Sequence, residues 1–169
     1  MTQIATQPGS PDDVDAAVSV YERSNLARRR GNWPSRSSRV AEVTASLRAA
    51  SSWFLIGRDG DEAVAMALVQ PFRASGGTGQ VIPGTLFLSL IYVLPDRWGH
   101  GVGGVMLDAV IAEGARRGCH RIYLWTHEQQ NERAHRLYLR RRFAQTGCTA
   151  HDDTGNLIGE WLYDGTAQP

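Results

Sequence analysis

A run of apolar residues over 86–93 carries no charged side chain and is followed by Pro95. Such a run predicts a strand that is buried on both faces and ends at the proline. Apolar residues then recur at helical spacing over 102–116, and the basic residues before Gly118 are typical of a helix end. A second strand is predicted over 121–126. These elements form a β-α-β unit with a glycine-rich loop at the N-terminus of its helix.

The pattern predicts further elements on both sides of this unit. Ser10 followed by Pro11 and acidic residues is a helix start, and the Asp-Gly pair at 59–60 between two apolar runs is a hairpin signal. The Gly-rich stretch 73–84 is predicted to be a long loop within a single domain over 1–169. The predicted elements are, in order, a strand near Ile4, helices over 10–30 and 36–50, strands over 53–58, 62–71 and 86–93, a helix over 102–116, a strand over 121–126, a helix over 131–143, and strands over 145–151 and 157–163.

Four glycines, Gly99, Gly101, Gly103 and Gly104, lie among six residues between the first strand of the unit and its helix. The first turn of a helix presents unpaired backbone N–H groups and the positive end of the macrodipole. Because glycine lets a ligand approach the backbone closely, this arrangement predicts a phosphate-binding loop. The alternative is a surface turn that only requires small residues.

Two common phosphate-binding patterns fit this loop poorly. The glycines match the dinucleotide pattern G-x-G-x-x-G, but in that fold the first glycine lies directly at the strand end, whereas here residues 95–98 intervene. A P-loop requires a lysine after the glycines, and this chain contains no lysine. A dinucleotide is therefore the weaker alternative for the ligand of the loop.

The same loop resembles the acyl-coenzyme A loop of the GNAT superfamily of N-acetyltransferases, whose pattern is roughly Gln/Arg-x-x-Gly-x-Gly/Ala. Gly101 and Gly103 occupy its two small positions. Trp98 occupies the leading position, where Gln or Arg is usual, and this departure removes one polar side chain. Arg97, the neighbouring residue, is the candidate for a substitute charge.

A second segment resembles the same family. Residues 131–143 resemble the helix pattern Asn-x-x-Ala-x-x-Leu-Tyr-x-x-x-Gly-Phe, from Asn131 to Phe143. Arg142 replaces the usual glycine before Phe143, so the exit of this helix is expected to differ from that of relatives. The residues that share one helix face are Ala134, Leu137, Tyr138 and Arg141. An ordinary amphipathic helix is the alternative for this segment taken alone.

Together with the element order, the two matches imply a GNAT fold over nearly the whole chain. The expected fold class is α/β (α+β), with a central mixed, mostly antiparallel twisted sheet of about seven strands flanked by about four helices. The resemblance also implies an N-acetyltransferase that moves an acetyl group from acetyl-CoA (a coenzyme A thioester) to a primary amine. Transfer would occur by direct attack in a ternary complex.

The resemblance further implies roles for individual residues. Tyr138 is the expected general acid that protonates the departing sulfur, with a purely packing role as its alternative. The central strand is expected to bulge near its end, where the backbone N–H of Val93 would donate to the oxyanion. Asn131 is expected either to contact the pantetheine arm or to cap its helix. The expected cofactor-binding residues are Ile91, Tyr92, Val93, Arg97, Trp98, Gly99, His100, Gly101, Val102, Gly103, Gly104, Asn131, Ala134, Tyr138 and Arg141.

No general base is assigned by these patterns. Relatives often carry a glutamate on the central strand, but residues 86–93 contain no acid. Ser89 and Tyr92 are the polar side chains on that strand, and His127 and Glu128 follow the next strand. A satisfied core residue or a polar loop is the simpler interpretation of each.

The resemblance places the acceptor opposite the cofactor, bounded by segments 21–33, 73–84 and 151–156. Trp33 and the two carboxylates at 152–153 are candidates for holding an amine there, although an exposed acidic turn is the simpler interpretation of the carboxylates. A small-molecule amine is the first candidate for the acceptor, and a protein N-terminus or side-chain amine is the second. A non-catalytic acyl-CoA-binding or sensing module is a different class, against which the presence of a general acid argues.

Composition narrows the choice of partners and compartment. A formal charge of +1 gives no support for a nucleic-acid or membrane partner. Cys119 and Cys148 are isolated, which fits reduced, buried thiols in a cytosolic protein. Neither a membrane-spanning apolar stretch nor a signal peptide is evident, so a soluble cytoplasmic protein is expected. The five histidines show no metal-ligand spacing, and a homodimer is left open.

Overall fold

The computed structural model describes residues 4–34 and 37–167. Within this part of the chain, seven strands and four α-helices follow one another. They are β1 (Ala5–Pro8), α1 (Val14–Arg30), α2 (Val40–Arg48), β2 (Trp53–Asp59), β3 (Glu62–Arg73), β4 (Val81–Val93), α3 (Val102–Arg116), β5 (Arg121–His127), α4 (Glu132–Arg140), β6 (Phe143–His151) and β7 (Leu157–Asp164). The number and order of these elements confirm the predicted α/β (α+β) fold class.

The strands form one seven-stranded sheet in the order β1-β2-β3-β4-β5-β7-β6. Among these strands β4 and β5 run parallel, and every other neighbouring pair is antiparallel. The core lies between the sheet and the helices: β2 and β3 bury Ile56, Met66 and Leu68, and α3 buries Met106 and Leu107. In the described part of the chain, the helices are too short or too polar to cross a membrane.

The start of α1 follows the predicted capping pattern. Ser10 donates hydrogen bonds from its backbone N–H and its Oγ to Asp13 Oδ2, each 2.9 Å long. These bonds hold a short 3₁₀ turn over Pro11–Asp13, and α1 follows directly. The second helix begins at Val40, whereas its predicted start at Arg36 lies outside the described residues.

The prediction of a long loop over 73–84 is wrong. β3 and β4 form a hairpin in which Arg73 pairs with Val81, so the loop is limited to residues 74–80 and contains a 3₁₀ turn over Ser75–Gly77. Pro83 and Gly84, which suggested a loop, lie within β4. The sheet accommodates them because this end of β4 is exposed and its register with β3 is irregular.

The seam between β4 and β5 opens along its length. The two strands pair over 85–87 and 121–123, and beyond this pairing a cavity lies between them. Residues 89–93 of β4 are therefore only partly buried, although the sequence predicted a strand buried on both faces. The opening exposes one edge of the central strand, where a ligand can take the place of a neighbouring strand.

A β-bulge lies in the middle of β4. Leu68 pairs with Leu90 and the next residue of β3 pairs with Leu88, so Ser89 is the extra residue of the bulge. The bulge therefore lies at Ser89 and not at the strand end near Val93, which corrects the predicted position. Beyond it, the ring of Tyr92 packs edge-on against α1, whereas the Val93 side chain faces α3.

The exit of α4 is formed by an arginine in a conformation that favours glycine. The helix ends at Arg140 and Phe143 begins β6, so the helix is shorter than the predicted range 131–143. Arg142 has a φ of 65°, which lies in the left-handed region. A residue with a side chain costs about 1–2 kcal/mol in this region. Arg142, which replaces the usual glycine of the family pattern, therefore introduces backbone strain at the end of α4.

Candidate active site

A cavity of about 810 Å³ opens between β4 and β5. Its walls come from β4, the glycine loop after it, the end of β5, α4 with the loop before it, and the C-terminal part of α1. The two segments that match the family in sequence therefore line one cavity. Every predicted cofactor-binding residue lines it except His100, which is exposed on the glycine loop.

The glycine loop requires glycine at two positions. Gly99 and Gly101 both have a φ of 83°, in the left-handed region. Gly101 is the N-cap of α3, and its carbonyl accepts a 2.9 Å hydrogen bond from the N–H of Gly104. The N–H groups of Val102 and Gly103 belong to the first helical turn, which offers them no intrahelical acceptor. The loop therefore has the donors and the space that a phosphate requires.

The small size of Gly103 and Gly104 accommodates α4. A Cβ atom at Gly104 would meet the guanidinium of Arg141, and one at Gly103 would lie 3.4 Å from Leu137 Cδ2. Arg141 Nε and Nη2 each donate a 3.0 Å hydrogen bond to the carboxylate of Asp108. Arg141 therefore holds α4 against α3, and its charge is already paired.

Trp98 joins two walls of the cavity. Its Nε1 donates a 2.7 Å hydrogen bond to Val93 O, and its ring centroid lies 5.1 Å from that of Trp33. The guanidinium of Arg133 in α4 lies 5.5 Å from the Trp98 ring, within cation–π range. The sequence did not single out Arg133, because nothing distinguishes it from the other arginines of its helix.

Arg97 turns away from the phosphate-binding loop. Its guanidinium forms ion pairs with Asp59 at 3.1 Å, Glu62 at 3.7 Å and Asp96 at 3.4 Å. The charge of Arg97 is therefore paired with three carboxylates, two in the β2–β3 hairpin and one at the start of the loop. The geometry thus favours Arg133 over Arg97 as the cation at the cofactor entrance.

Two backbone amides of β4 point into the cavity. The N–H of Leu94 donates to Val64 O at 2.9 Å, so this residue faces β3. Because hydrogen bonds alternate along an antiparallel pair, the amides of Ile91 and Val93 face the opposite side, where β5 has separated from β4. Ser24 Oγ donates to Val93 O at 2.9 Å from that side. Ile91 and Val93 therefore both present donors to a bound ligand.

Tyr138 is buried in the cavity wall, with its ring centroid 5.7 Å from Phe143 and 5.8 Å from Trp161. Burial raises the pKa of Tyr138 to about 12, although a hydrogen bond with Thr126 and the charge of Arg28 act in the opposite direction. The phenol therefore keeps its proton at neutral pH, as a general acid must. It is a weaker acid than a free phenol, whose pKa is about 10.

Asn131 ties the start of α4 to the end of β5. Its Nδ2 donates to Thr126 Oγ1 at 2.6 Å and to His127 O at 3.2 Å. Asn131 is the N-cap residue of α4, and its carbonyl accepts a 3.1 Å hydrogen bond from the N–H of His135, but its side chain makes no capping hydrogen bond to the helix. Contact between Asn131 and the pantetheine arm stays a prediction.

His127, the last residue of β5, lines the cavity, and its Nε2 lies 2.8 Å from Asp152 Oδ2. Burial alone would raise the pKa of Asp152, but hydrogen bonds from His127 and from residues 154–156 hold it well below its usual range. Glu128 does not line the cavity, because its carboxylate accepts hydrogen bonds from Gln145 at 3.1 and 3.2 Å. His127 is therefore the titratable group that β5 brings to the cavity.

The carboxylates at 152–153 do not form an amine-binding site. Asp152 is buried against His127, and Asp153 Oδ2 lies 3.1 Å from Arg39 Nη2. Both charges are engaged within the protein, so the hypothesis that they hold the acceptor is wrong.

One of the three segments predicted to bound the acceptor reaches the cavity, through Ser24, Arg28 and Trp33. The other two, 73–84 and 151–156, do not line it, so the expectation is wrong for them. In the sequence, Arg28 is one of three consecutive arginines at a helix end. No sequence signal therefore marked it as a site residue.

A helix N-terminus rich in glycine, an open strand edge and a buried tyrosine line one cavity, which is the arrangement that the resemblance to acyl-coenzyme A-dependent acyltransferases implies. A model of the Acetyltransferase (GNAT) family matches residues 16–143. The chain belongs to the GNAT acetyltransferase family, as its sequence motifs predict. A search of curated proteins found no significant match.

Solved structures share this fold over nearly their full length. The ribosomal-protein-S18-alanine N-acetyltransferase from Escherichia coli is 17% identical with a TM-score of 0.75, over 99% of this chain and 97% of that one. The structure of yncA from Salmonella typhimurium with its cofactor acetyl-CoA is 19% identical with a TM-score of 0.72, over 98% and 95%. The NatC complex bound to Gag peptide and CoA contains a chain that is 12% identical with a TM-score of 0.71, over 96% and 98%. These likenesses confirm the predicted GNAT fold.

The cofactor of this family is acetyl-CoA, and the cavity fits it. Val102 and Gly103 have N–H groups suited to the pyrophosphate, and Ile91 and Val93 offer strand-edge donors to an extended amide-containing arm. A cavity of about 810 Å³ is within the range typical of small-ligand sites.

Proposed function

We propose that the protein is an N-acetyltransferase that moves an acetyl group from acetyl-CoA to the primary amine of a small molecule. The amine attacks directly while both substrates are bound. The observation that carries this proposal is the single cavity in which the glycine-loop N–H groups, the open edge of β4 and the phenol of Tyr138 lie together.

Acetyl-CoA supplies the acetyl group as a thioester. The N–H groups of Val102 and Gly103 bind phosphate, and those of Ile91 and Val93 orient the pantetheine arm and the carbonyl. We assign Val93 the predicted donation to the carbonyl oxygen, with Ile91 as an equivalently oriented donor closer to the bulge at Ser89. A preorganised backbone donor contributes about 10²–10³ in rate.

Tyr138 acts as the general acid on the sulfur side. Its pKa of about 12 exceeds that of a thiol, which is about 8.5, so full proton transfer to a thiolate is uphill unless burial also raises the thiol pKa. The phenol therefore serves first as a hydrogen-bond donor, and its proton follows when negative charge develops beside it.

His127 is the general base in this proposal. An alkyl ammonium has a pKa near about 10.4, so a group at the acceptor end must receive a proton. His127 lines the cavity, and the 2.8 Å contact of its Nε2 with Asp152 Oδ2 fixes the orientation of its ring. Ser89 and Tyr92 also line the cavity and are the alternatives as water-mediated relays. The pH dependence of kcat/KM in a His127 variant distinguishes them.

The size of the cavity supports a small acceptor. About 810 Å³ must hold the pantetheine arm and the acceptor together. The C-terminal part of α1 and Trp33 form one wall of the cavity, and this wall meets the start of the glycine loop where Trp33 contacts Trp98.

Measurement of thiol release from acetyl-CoA against a panel of small amines and N-terminally free peptides tests the proposal. We expect release with one or more small amines and little with peptides, and loss of release when Tyr138 is changed to Phe. Binding of acetyl-CoA without release for any amine would instead indicate a non-catalytic acyl-CoA-binding module. Preferential release with peptides would indicate a protein acetyltransferase.

A further inference from the structure

Arg28 occupies a fixed position in the cavity wall. It lies one helical turn after Ser24, whose hydroxyl holds the carbonyl of Val93. Its Nε and Nη2 both donate to Pro34 O, at 2.9 and 2.7 Å. The guanidinium plane is thus oriented by the protein, while Nη1 forms no hydrogen bond with the described residues.

The charge of Arg28 has no carboxylate partner within residues 4–34 and 37–167. Two other arginines of the cavity wall contrast with it, since Arg97 pairs with three carboxylates and Arg141 with Asp108. Burial lowers the pKa of Arg28, and the charge of Arg133 acts in the same direction. A half-buried cation without a counter-charge is costly, so a ligand that brings an anion is favoured here.

Arg28 lies on the α1 side of the cavity. Its charge is coupled to the phenols of Tyr92 and Tyr138, and Tyr138 is the proposed general acid. Tyr92 packs against α1, whereas Val93 faces α3 and the phosphate-binding loop. Arg28 belongs to α1, which packs on the opposite face of β4 from the first turn of α3.

We propose that Arg28 binds a carboxylate of the acceptor, so that the substrates are small primary amines that also carry a carboxylate, as amino acids do. The inference rests on the proposed N-acetyltransferase function and names its substrate class. A guanidinium with a free Nη1 edge binds a carboxylate through charge-assisted, directional hydrogen bonds. Anchoring the carboxylate places the amine of the same molecule near Tyr138 and the β4 edge.

The experiment compares free amino acids with their carboxamides and with the decarboxylated amines, which share the side chain but lack the anion. With the unaltered protein, we expect kcat/KM for at least one amino acid to exceed that of its amide by about 10²-fold. Arg28→Gln should remove this preference by raising KM for the amino acid. The same variant should leave the affinity for acetyl-CoA, measured by calorimetry, unchanged.

Arg30→Gln is the matched control, since Arg30 is an exposed arginine of the same helix and does not line the cavity. It should leave both measurements unchanged. Arg28→Lys keeps the charge without the planar fork and should lose part of the preference. If Arg28→Gln does not fold, the comparison of acids with amides in the unaltered protein decides the question.

Equal turnover of amino acids and their amides would overturn this proposal while leaving the N-acetyltransferase function intact. A fall in acetyl-CoA affinity in Arg28→Gln, with the acid preference retained, would also overturn it by placing Arg28 at the cofactor. Absence of thiol release with every amine would contradict the proposed function, and the substrate assignment with it.

Discussion

The two ends of the cavity are built in different ways. At the proposed phosphate end, one short segment, 99–104, presents backbone N–H groups at the start of α3. At the proposed acceptor end, side chains from separate elements meet: Arg28 from α1, His127 from β5 and Asp152 behind it. The first end is specified locally and the second by the tertiary fold.

This difference explains what each end can recognise. Backbone donors at a helix N-terminus recognise phosphate whatever residues surround them, so this end suits a cofactor shared by a whole family. Side chains at the other end can change without disturbing the helix or the sheet. Specificity for the acceptor is therefore expected to depend on residues such as Arg28 and not on the glycine loop.

The phosphate end is most sensitive to the loss of one glycine. Gly101→Val places a β-branched residue at a φ of 83° and should reduce affinity for coenzyme A by about 10²-fold or more, measured by calorimetry. Gly118→Val is the matched control, because Gly118 has a φ of 77° with open space around it and lies outside the cavity. The control should lose similar thermal stability and keep its affinity. Equal affinity losses in both would show that strain alone, and not the loop, is responsible.

Between the two ends, Tyr138→Phe should lower kcat by about 10²-fold while the affinity for acetyl-CoA is kept. The physical reason is loss of the proton donor beside the sulfur, without loss of the ring that packs near Phe143 and Trp161. Tyr163→Phe, at a half-buried tyrosine outside the cavity, is the control and should keep kcat. An unchanged kcat in folded Tyr138→Phe would leave this residue with a packing role only.

At the acceptor end, His127→Gln should lower kcat/KM by about 10²-fold and remove the acidic limb of its pH profile. Asp152→Asn should lower it by about 10-fold, since Asp152 acts by orienting His127. A profile unchanged in His127→Gln would point to Ser89 or Tyr92 as the relay.

The carboxyl of Asp152 also makes the free energy of unfolding depend on pH. Its pKa is depressed in the folded protein, so the folded state binds fewer protons than the unfolded state at low pH. The stabilisation is present above the unfolded pKa of about 3.9 and is lost as the pH falls through the folded value. Acid unfolding of Asp152→Asn should therefore show a weaker pH dependence than that of the unaltered protein.

The smallest effect is expected for Arg97→Gln. Because Arg97 pairs with Asp59, Glu62 and Asp96, its loss should cost about 1 kcal/mol of stability and change the affinity for coenzyme A by less than about threefold. A larger loss of affinity would restore Arg97 as the substitute for the usual Gln or Arg. Arg133→Gln, tested beside it, should weaken binding more.

The sequence predicted features that depend on contiguous residues better than features that depend on the tertiary fold. The positions of the glycine loop before α3 and of Tyr138 on α4 were predicted because contiguous residues carry their patterns, whereas their roles in binding and catalysis stay predictions. The bulge at Ser89 was misplaced, since register depends on the partner strand β3 and not on β4 alone.

Side-chain partners were predicted least well. Arg97 was a reasonable cation by its position, but its three carboxylates come partly from the β2–β3 hairpin, distant in sequence. Arg28 looked like any basic residue at a helix end until the fold placed it in the cavity without a counter-charge. Proximity and burial decide such roles, and neither is visible in a local pattern.

The peptide unit between Val93 and Leu94 is hydrogen-bonded to three different parts of the molecule. Its oxygen accepts hydrogen bonds from Ser24 and Trp98, and its N–H donates to Val64. The unit cannot rotate without breaking contacts to α1, the glycine loop and β3 together. The strand end is consequently rigid before any substrate arrives, so little conformational entropy is lost there when the cofactor binds. A disturbance of Ser24 at the acceptor end would reach the cofactor entrance through this single oxygen atom.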